Sequence, residues 1–296
     1  MKILFDNYNT ITSTEATSLS HALSHVDVEN EVWDKRISAF EIFDRVRPDV
    51  FITSYKLLTE DILKRMSNDK CKLVVNVAGI TEEEAVSLEE VLDEMKIKVA
   101  FAIYPFCKPK GFQKIKTLQM MPAADIFLPS PQPGNRQIPF AVIYKDTLVP
   151  VDGVGEVYHK IIMNEEFLNA DVGMSVMDIC SNAGIYRNAM IVGKSVDFVC
   201  SQVFFDMTIR MGGKTRINME QVEDEKAVGD FLMSVFPELP GDPEAAELYF
   251  KSHTLRKHTY INRAERLMKN LGDDNAVANL RKFQESLKNN LQNPRS

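Results

Sequence analysis

The stretch KLVVNVAGITEEEAVSLEEVLDEMKIKVAFAIY, Lys72 to Tyr104, decides the fold. KLVVNVAG, Lys72 to Gly79, is a short apolar run ended by a glycine and reads as a strand. VAFAIY, Val99 to Tyr104, is a second run of the same kind. Between them, Leu88 to Met95 is charged and amphipathic at helical spacing. Two apolar strands joined through a helix form the unit of a parallel sheet. The crossover needs a helix, and the strands, covered on both faces, read as continuous apolar runs rather than alternating ones.

The alternation extends back to the N-terminus. Ile3 to Phe5 reads as a first strand, followed by the polar turn DNYNTITST and a helix carrying Leu19, Ala22, Leu23 and Val26, with Ser13 or Thr14 as its cap. Glu31 to Trp33 is a second strand. Phe40 to Val46 is a helix that stops before Pro48, as the steric demand of proline on its predecessor requires. Asp49 to Ser54, DVFITS, is a third strand and Leu57 to Met66 a helix. ADIFLPS, Ala124 to Ser130, is expected as the last strand of this domain. Ligands of such sheets sit beyond the carboxyl ends of the strands. Asp6, Asn7, Ser54 and Gly79 are therefore expected on a rim.

PSPQPGNRQIP, Pro129 to Pro139, is the best linker candidate, and FAVIY opens a new apolar run after it. Ala170 to Asp178 reads as a strand, and Asn188 to Ser195 as a strand or a buried helical turn. A helix with Phe204, Phe205, Thr208 and Ile209 on one face ends at Gly212 and Gly213, and KTRIN follows as a short strand. Helices are expected over 222–236, 244–255, 260–271 and 277–291. The simplest account is a second α/β unit with helices at its end.

The chain has 296 residues, 45% apolar and 26% charged, which suits a globular protein of one large or two ordinary domains. A net charge of −7 argues against bulk attraction to nucleic acid. Cys71, Cys107, Cys180 and Cys200 show no CxxC spacing, which leaves no zinc site of the common kind and leans toward a reducing compartment. MKILFDNYN places three apolar residues before an aspartate and reads as a strand, not a signal peptide. No apolar run reaches roughly 18 residues. A cytoplasmic protein without membrane insertion is expected.

Common enzyme signatures are missing: no GxGxxG after a strand, no GxxxxGK[ST], no HExxH, no GxSxG and no DxD. Two stretches remain chemically suggestive. In IRMGGKTR, Ile209 to Arg216, two glycines bring backbone amides close to a bound group beside Arg210, Lys214 and Arg216. The same residues also read as a glycine helix cap with solvated charges, and Asp206 with Arg210 as an i,i+4 ion pair. In LRKHTYINRAERL, Leu255 to Leu267, Tyr260, Ala264, Leu267, Met268 and Leu271 form a core face. His258, Asn262, Arg256 and Arg263 lie elsewhere on the helix. From Arg256 onward there are nine basic and four acidic residues, leaving −12 on the rest of the chain.

LRKHTYINRAERLMKNL resembles the closing motif of the spore-maturation, CgeB-type glycosyltransferase-like group of two-Rossmann-domain glycosyltransferases. The matching positions are His258, Thr259, Tyr260 and Arg263. Phe205, Asp206, Gly212 and Gly213 stand where that group has a phenylalanine–glutamate pair, a small residue and a glycine, and ADVGMSV resembles the strand before them. The resemblance covers residues 155–271. Asp206 replaces the usual glutamate, and the first strand exits into DNYN without a glycine-rich outlet.

The resemblance implies an α/β fold of two Rossmann-like domains facing each other across a cleft, with C-terminal helices. The acceptor domain would span 1–135 and the nucleotide-sugar domain 136–271, with 272–296 a terminal helix packing back on the first domain. It implies a metal-independent glycosyltransferase, without cofactor, that moves a sugar from a nucleotide-diphosphate sugar to a hydroxyl acceptor. That acceptor is open: a saccharide, a protein, a small molecule or a modified DNA base. Asp206 would bind the ribose, and Arg187, Lys194, Arg210, Gly212, Gly213 and Lys214 the diphosphate, with His258, Tyr260 and Arg263 in support. Asp6 is the first candidate base and His159 a further one; His21 and His25 are weaker ones. A non-catalytic sugar-nucleotide-binding protein and a sugar-nucleotide epimerase remain as alternatives.

Overall fold

The computed structural model describes residues 1–6, 14–105, 108–120, 123, 125–127 and 255–292, and strand backbone at 138–144, 147–151, 186–193 and 215–218. The chain divides into two compact units. One is Met1–Met121 with Ile261–Ser286; the other is Pro122–Tyr260 with Leu287–Ser296.

The first unit is a parallel sheet wound in the order β2-β1-β3-β4-β5-β6. Its strands are β1 (Ile3–Asp6), β2 (Asn30–Trp33), β3 (Val50–Ser54), β4 (Lys72–Asn76), β5 (Val99–Tyr104) and β6 (Thr117–Gln119). The connecting helices are α1 (Thr14–Ser24), α2 (Ala39–Val46), α3 (Glu60–Asp69) and α4 (Glu82–Glu94), with a short 3-10 turn at Tyr55–Leu57. This is a Rossmann-like, doubly wound core. The chain reverses its direction of travel across the sheet between β1 and β3, and this reversal opens the crevice in which such sheets bind ligands.

Local chemistry sets the helix starts. Ser38 and Glu41 form a reciprocal capping box at α2, and Thr81 with Glu84 does the same at α4. The Thr59 side chain accepts from the Ile62 amide at the start of α3. These caps explain two differences from the sequence expectation. α4 begins at Glu82 rather than Leu88, and α3 begins at Glu60 after a separate turn rather than at Leu57.

One face of the sheet carries Leu4, Trp33, Phe51, Leu73 and Val75 against Ile42 and Phe43 of α2, Ile62, Leu63 and Met66 of α3, and Leu92 of α4. Phe43 meets Phe51 edge-on at 5.2 Å. Cys71 is buried with this cluster, and burial, then the nearby carboxylates of Asp69 and Asp49, push its thiol up to about 12. Cys71 is therefore expected to resist iodoacetamide at pH 8 in the folded protein and to react on unfolding, as peptide mapping would show. The folded state holds the proton more tightly than the unfolded one. Stability is thus full below the ordinary thiol value near 9 and falls by up to about 1.4 kcal/mol per pH unit above it, until about 12.

The helices α5 (Tyr260–Leu271) and α6 (Asp274–Gln292) follow, separated by Gly272. Residues 261–286 belong to the first unit. His25, just after α1, lies 5.1 Å from the Phe283 ring of α6, and Lys116 donates to Asn270 of α5. On the helix predicted from LRKHTYINRAERL, the core face is as expected: Tyr260, Ala264, Leu267 and Met268 are all buried.

The sixth strand is a correction. ADIFLPS was expected to supply it, but Thr117–Gln119 does, pairing Ala102 with Thr117 and Ile103 with Leu118. The described part of ADIFLPS is a turn in which the Asp125 carboxylate accepts the Phe127 amide. An Asx turn competes with strand pairing through this carboxylate–amide bond, whereas TLQ is too short to show a strand pattern.

The described strands of the second unit are β7 (Ile138–Tyr144), β8 (Thr147–Val151), β9 (Tyr186–Gly193) and β10 (Thr215–Asn218), in the order β10-β9-β7-β8. β9 is parallel to both β7 and β10, and β8 is antiparallel to β7. The open reading of Asn188 to Ser195 resolves as a strand, and KTRIN is one as well. The strand expected over Ala170 to Asp178 and the helices expected over 222–236 and 244–255 lie outside the described residues, apart from Leu255 itself.

Candidate functional site at the carboxyl edge of the first sheet

β1, β2 and β3 converge at the reversal point, and their register sets the neighbours there. Asp6 pairs with Trp33, the last residue of β2. β1 also pairs with β3 up to Phe5 opposite Ile52, so the next step places Asp6 beside Thr53. Asp6 alternates with Leu4 and therefore projects from the face that holds the apolar cluster.

Asp6 and Thr53 are both fully buried. The Thr53 hydroxyl donates to Asp6 Oδ2 at 2.7 Å. Lys35 Nζ lies 2.6 Å from Asp6 Oδ1, yet Oδ1 accepts no directed hydrogen bond. The ammonium neutralises the carboxylate by proximity, without the alignment of a directed hydrogen bond. The same Nζ lies 3.8 Å over the Trp33 ring, whose indole N–H donates to the Ile37 carbonyl. A fully buried carboxylate at the margin of an apolar cluster requires such a counter-charge.

A second polar group caps the other face. Asn76, last in β4, accepts the Ala78 amide and reaches 3.5 Å from Glu15, which is buried in the first turn of α1. The Ser54 hydroxyl accepts the Lys56 amide and starts the 3-10 turn. The next residue, Tyr55, has its phenol pushed up by burial and by the Glu84 carboxylate it hydrogen-bonds, so it acts as a donor there.

Of the residues expected on the rim, Asp6 ends β1, Ser54 ends β3 and Gly79 follows β4, while Asn7 lies outside the described residues. His21 and His25 are at the far end of α1. The chain leaves α1 toward the amino edge of the sheet, where Ile3 N–H donates to the Glu29 carbonyl, so neither histidine shares the rim with Asp6. Arg187 is in β9, with its side chain outside the described residues; His159, Lys194, Asp206, Arg210, Gly212, Gly213 and Lys214 lie wholly outside them. His258 and Arg263 are half-buried and Tyr260 buried.

The sequence reading missed Lys35, Thr53, Glu15 and Asn76. Thr53 and Asn76 carried a usable signal, a polar residue at or next to the last position of an apolar strand. Lys35 carried none. Among the described residues no three His, Cys, Asp or Glu side chains group as a metal site, and no helix is long and apolar enough to cross a membrane. No family model, curated protein or solved structure matches this chain.

Proposed function

We propose that this protein is a metal-independent glycosyltransferase that moves a sugar from a nucleotide-diphosphate sugar to a hydroxyl acceptor. The acceptor binds at the carboxyl edge of the first sheet. The observation that carries this reading is Asp6: a buried carboxylate at the reversal point of a Rossmann-like sheet, held by Thr53 and charge-balanced by Lys35. The closing-helix motif around His258, Tyr260 and Arg263 supports the same class through its resemblance to the spore-maturation group. In this proposal residues 1–135 form the acceptor domain and 136–271 a second Rossmann-like domain that takes the donor. Asp206 holds the ribose, Arg210, Gly212, Gly213, Lys214, Arg187 and Lys194 hold the diphosphate, and His159 is a further candidate base.

Catalysis then rests on two effects. Amides and cations meet the charge that develops on the departing diphosphate, and a carboxylate within about 3 Å takes the acceptor proton. One feature favours the rival reading of a non-catalytic sugar-nucleotide-binding protein. The Asp6 carboxylate is fully buried and its Oδ1 is covered by the Lys35 ammonium, so it is closed to an acceptor hydroxyl for as long as the pair lasts.

The two readings separate in one experiment. The protein is screened by thermal shift against UDP, GDP, ADP, CDP and TDP and their common sugars, and the stabilising donor is then incubated with hydroxyl acceptors. Transfer predicts acceptor-dependent release of the nucleoside diphosphate, and Asp206→Ala should weaken donor binding strongly by calorimetry. Saturable binding without release supports the non-catalytic reading. A change of sugar without acceptor indicates an epimerase. Stabilisation by none of these nucleotides sinks the proposal.

A further inference from the structure

We propose that Lys35 is the anchoring cation for an oxyanion, phosphate or carboxylate, on the acceptor, and that it uncovers Asp6 when it engages that group. The inference rests on the acceptor-edge reading above and names the substrate class of that edge: a hydroxyl compound that also carries a negative charge.

Three observations converge on Lys35. Its backbone is strained. Of the five non-glycine residues with left-handed φ among those described, Asp27, Arg47, Lys70 and Lys96 stand within three residues of a helix C-terminus, where that conformation is an ordinary cap. Lys35, at φ +68°, instead follows a strand. Strain of this kind persists where the surroundings over-determine it, and it concentrates at ligand sites. The turn is fixed around it: the Asp34 carboxylate accepts the Arg36 amide, and the Trp33 indole closes onto Ile37.

The hold on the ammonium is loose in direction. Nζ lies against Asp6 Oδ1 without a directed hydrogen bond and rests over the Trp33 ring. The Lys35 side chain is 37% exposed while Asp6 is 0% exposed. Lys35 thus bridges solvent and a sealed carboxylate, and is the only cation paired with Asp6 among the described residues. An incoming oxyanion offers the ammonium directed, charge-assisted hydrogen bonds that Oδ1 does not. As Nζ turns toward it, Oδ1 is uncovered and opens to the acceptor hydroxyl.

The transfer step then balances. The acceptor O–H bond breaks and its proton passes to Asp6 Oδ1. The acceptor oxygen bonds to the anomeric carbon, and the bond from that carbon to the diphosphate oxygen breaks, its electron pair leaving with the nucleoside diphosphate. Thr53 keeps Oδ2 fixed throughout and is a positioning residue. An acceptor without an anionic group would leave Lys35 on Asp6 and the base covered, which gives the edge a physical means of selecting charged acceptors.

Trp33 is the sole tryptophan of the chain, and its ring lies under the ammonium, so its fluorescence reports Lys35 directly. The full-length protein without donor is titrated with inorganic phosphate, glucose 6-phosphate, glucuronate and neutral glucose at low salt. The expected result is a saturable change with the anions and none with glucose. Lys35→Met should weaken the anion response at least about tenfold, the loss of one charge-assisted contact, and Lys35→Arg should recover part of it. In case Lys35→Met folds poorly, the comparison is repeated in the Asp6→Asn background, where no buried charge is left to be exposed. There too, Lys35→Met must weaken the anion response. A response to glucose equal to that of the anions, no response to any probe, or an unchanged anion response in both lysine variants overturns the inference. Because no nucleotide is present, the result is independent of the donor screen: turnover without anion binding removes this inference alone, and anion binding without turnover removes the transferase reading while leaving the Lys35 site.

Discussion

Lys35→Met is expected to destabilise the protein by about 1–3 kcal/mol, while Asp6→Asn is expected to change its stability by less than about 1 kcal/mol. The asymmetry runs against the exposure of the two residues, since the costly change is at the more exposed one. Removing the lysine charge leaves the Asp6 carboxylate sealed at the margin of the cluster containing Leu4, Trp33 and Phe51, where among the described residues only the Thr53 hydroxyl compensates it. Breaking a fully buried ion pair in this way costs roughly 3–5 kcal/mol. The estimate here is lower because Lys35 is 37% exposed and water screens part of the interaction. Methionine keeps most of the aliphatic length of the lysine side chain, so lost packing contributes little. Asp6→Asn removes the buried charge itself and retains an oxygen acceptor for Thr53, while the freed ammonium turns to solvent.

The double variant should therefore be close to Asp6→Asn alone, with the lysine substitution nearly silent once the carboxylate is gone. Urea unfolding followed by circular dichroism measures all four proteins without relying on Trp33 fluorescence, which Lys35 itself perturbs. If Lys35→Met were neutral in the wild-type background, the pair would not be what makes a buried Asp6 tolerable.

The second large effect is expected at Gly111, where alanine should cost about 2–4 kcal/mol. Two costs add. Gly111 has φ +96°, which residues with a Cβ rarely adopt, and a Cβ built there would lie 2.6 Å from the Glu82 carbonyl oxygen, in the first turn of α4. Neither atom can give way easily, because the oxygen belongs to the backbone of α4 and the position of a Cβ is fixed by the backbone that carries it. The loop is also tied to α4 further along, where the Glu89 carboxylate accepts the amides of Gln113, Lys114 and Ile115. Burial raises the Glu89 carboxyl, but these amides and the Lys114 ammonium together outweigh it and hold it below its ordinary value.

This segment leads directly into β6, so Gly111→Ala should loosen that edge strand first, seen as faster amide exchange at Thr117–Gln119. Gly79 and Gly272 supply the internal control: both have positive φ, but an added Cβ would meet nothing within 4 Å. Their alanine variants should carry only the conformational cost, about 1–2 kcal/mol. A Gly111→Ala variant no worse than Gly79→Ala would show that the close approach to α4 has no energetic weight.

Most of the first sheet was legible because its signals are local. The apolar runs at Ile3 to Phe5, Val50 to Ser54, Lys72 to Asn76 and Val99 to Tyr104 are flanked by amphipathic helices, and continuous apolar strands with helical crossovers admit few arrangements other than a covered parallel sheet. The amphipathic spacing of Tyr260 to Leu271 fixed that helix and its core face for the same reason. Element edges were less legible where side-chain caps set them: Thr81 and Glu84 start α4 six residues before the apolar periodicity begins.

The site was only half legible. Asp6 could be named from the sequence, because a carboxylate at the exit of a strand must emerge at the carboxyl edge. Which groups meet it could not. Thr53 becomes its neighbour through the pairing of β1 with β3 across 47 residues of chain, and Lys35 through a left-handed turn after β2 that no residue type announces. The sequence alone determined a covered parallel sheet with Asp6 on its rim, since burial pattern and crossover geometry act within short segments. Only the tertiary structure decided that Asp6 is sealed and balanced by Lys35 over the one tryptophan. Strand order and register bring together residues distant in sequence, and the electrostatics of a buried charge depend on those neighbours rather than on the residue itself.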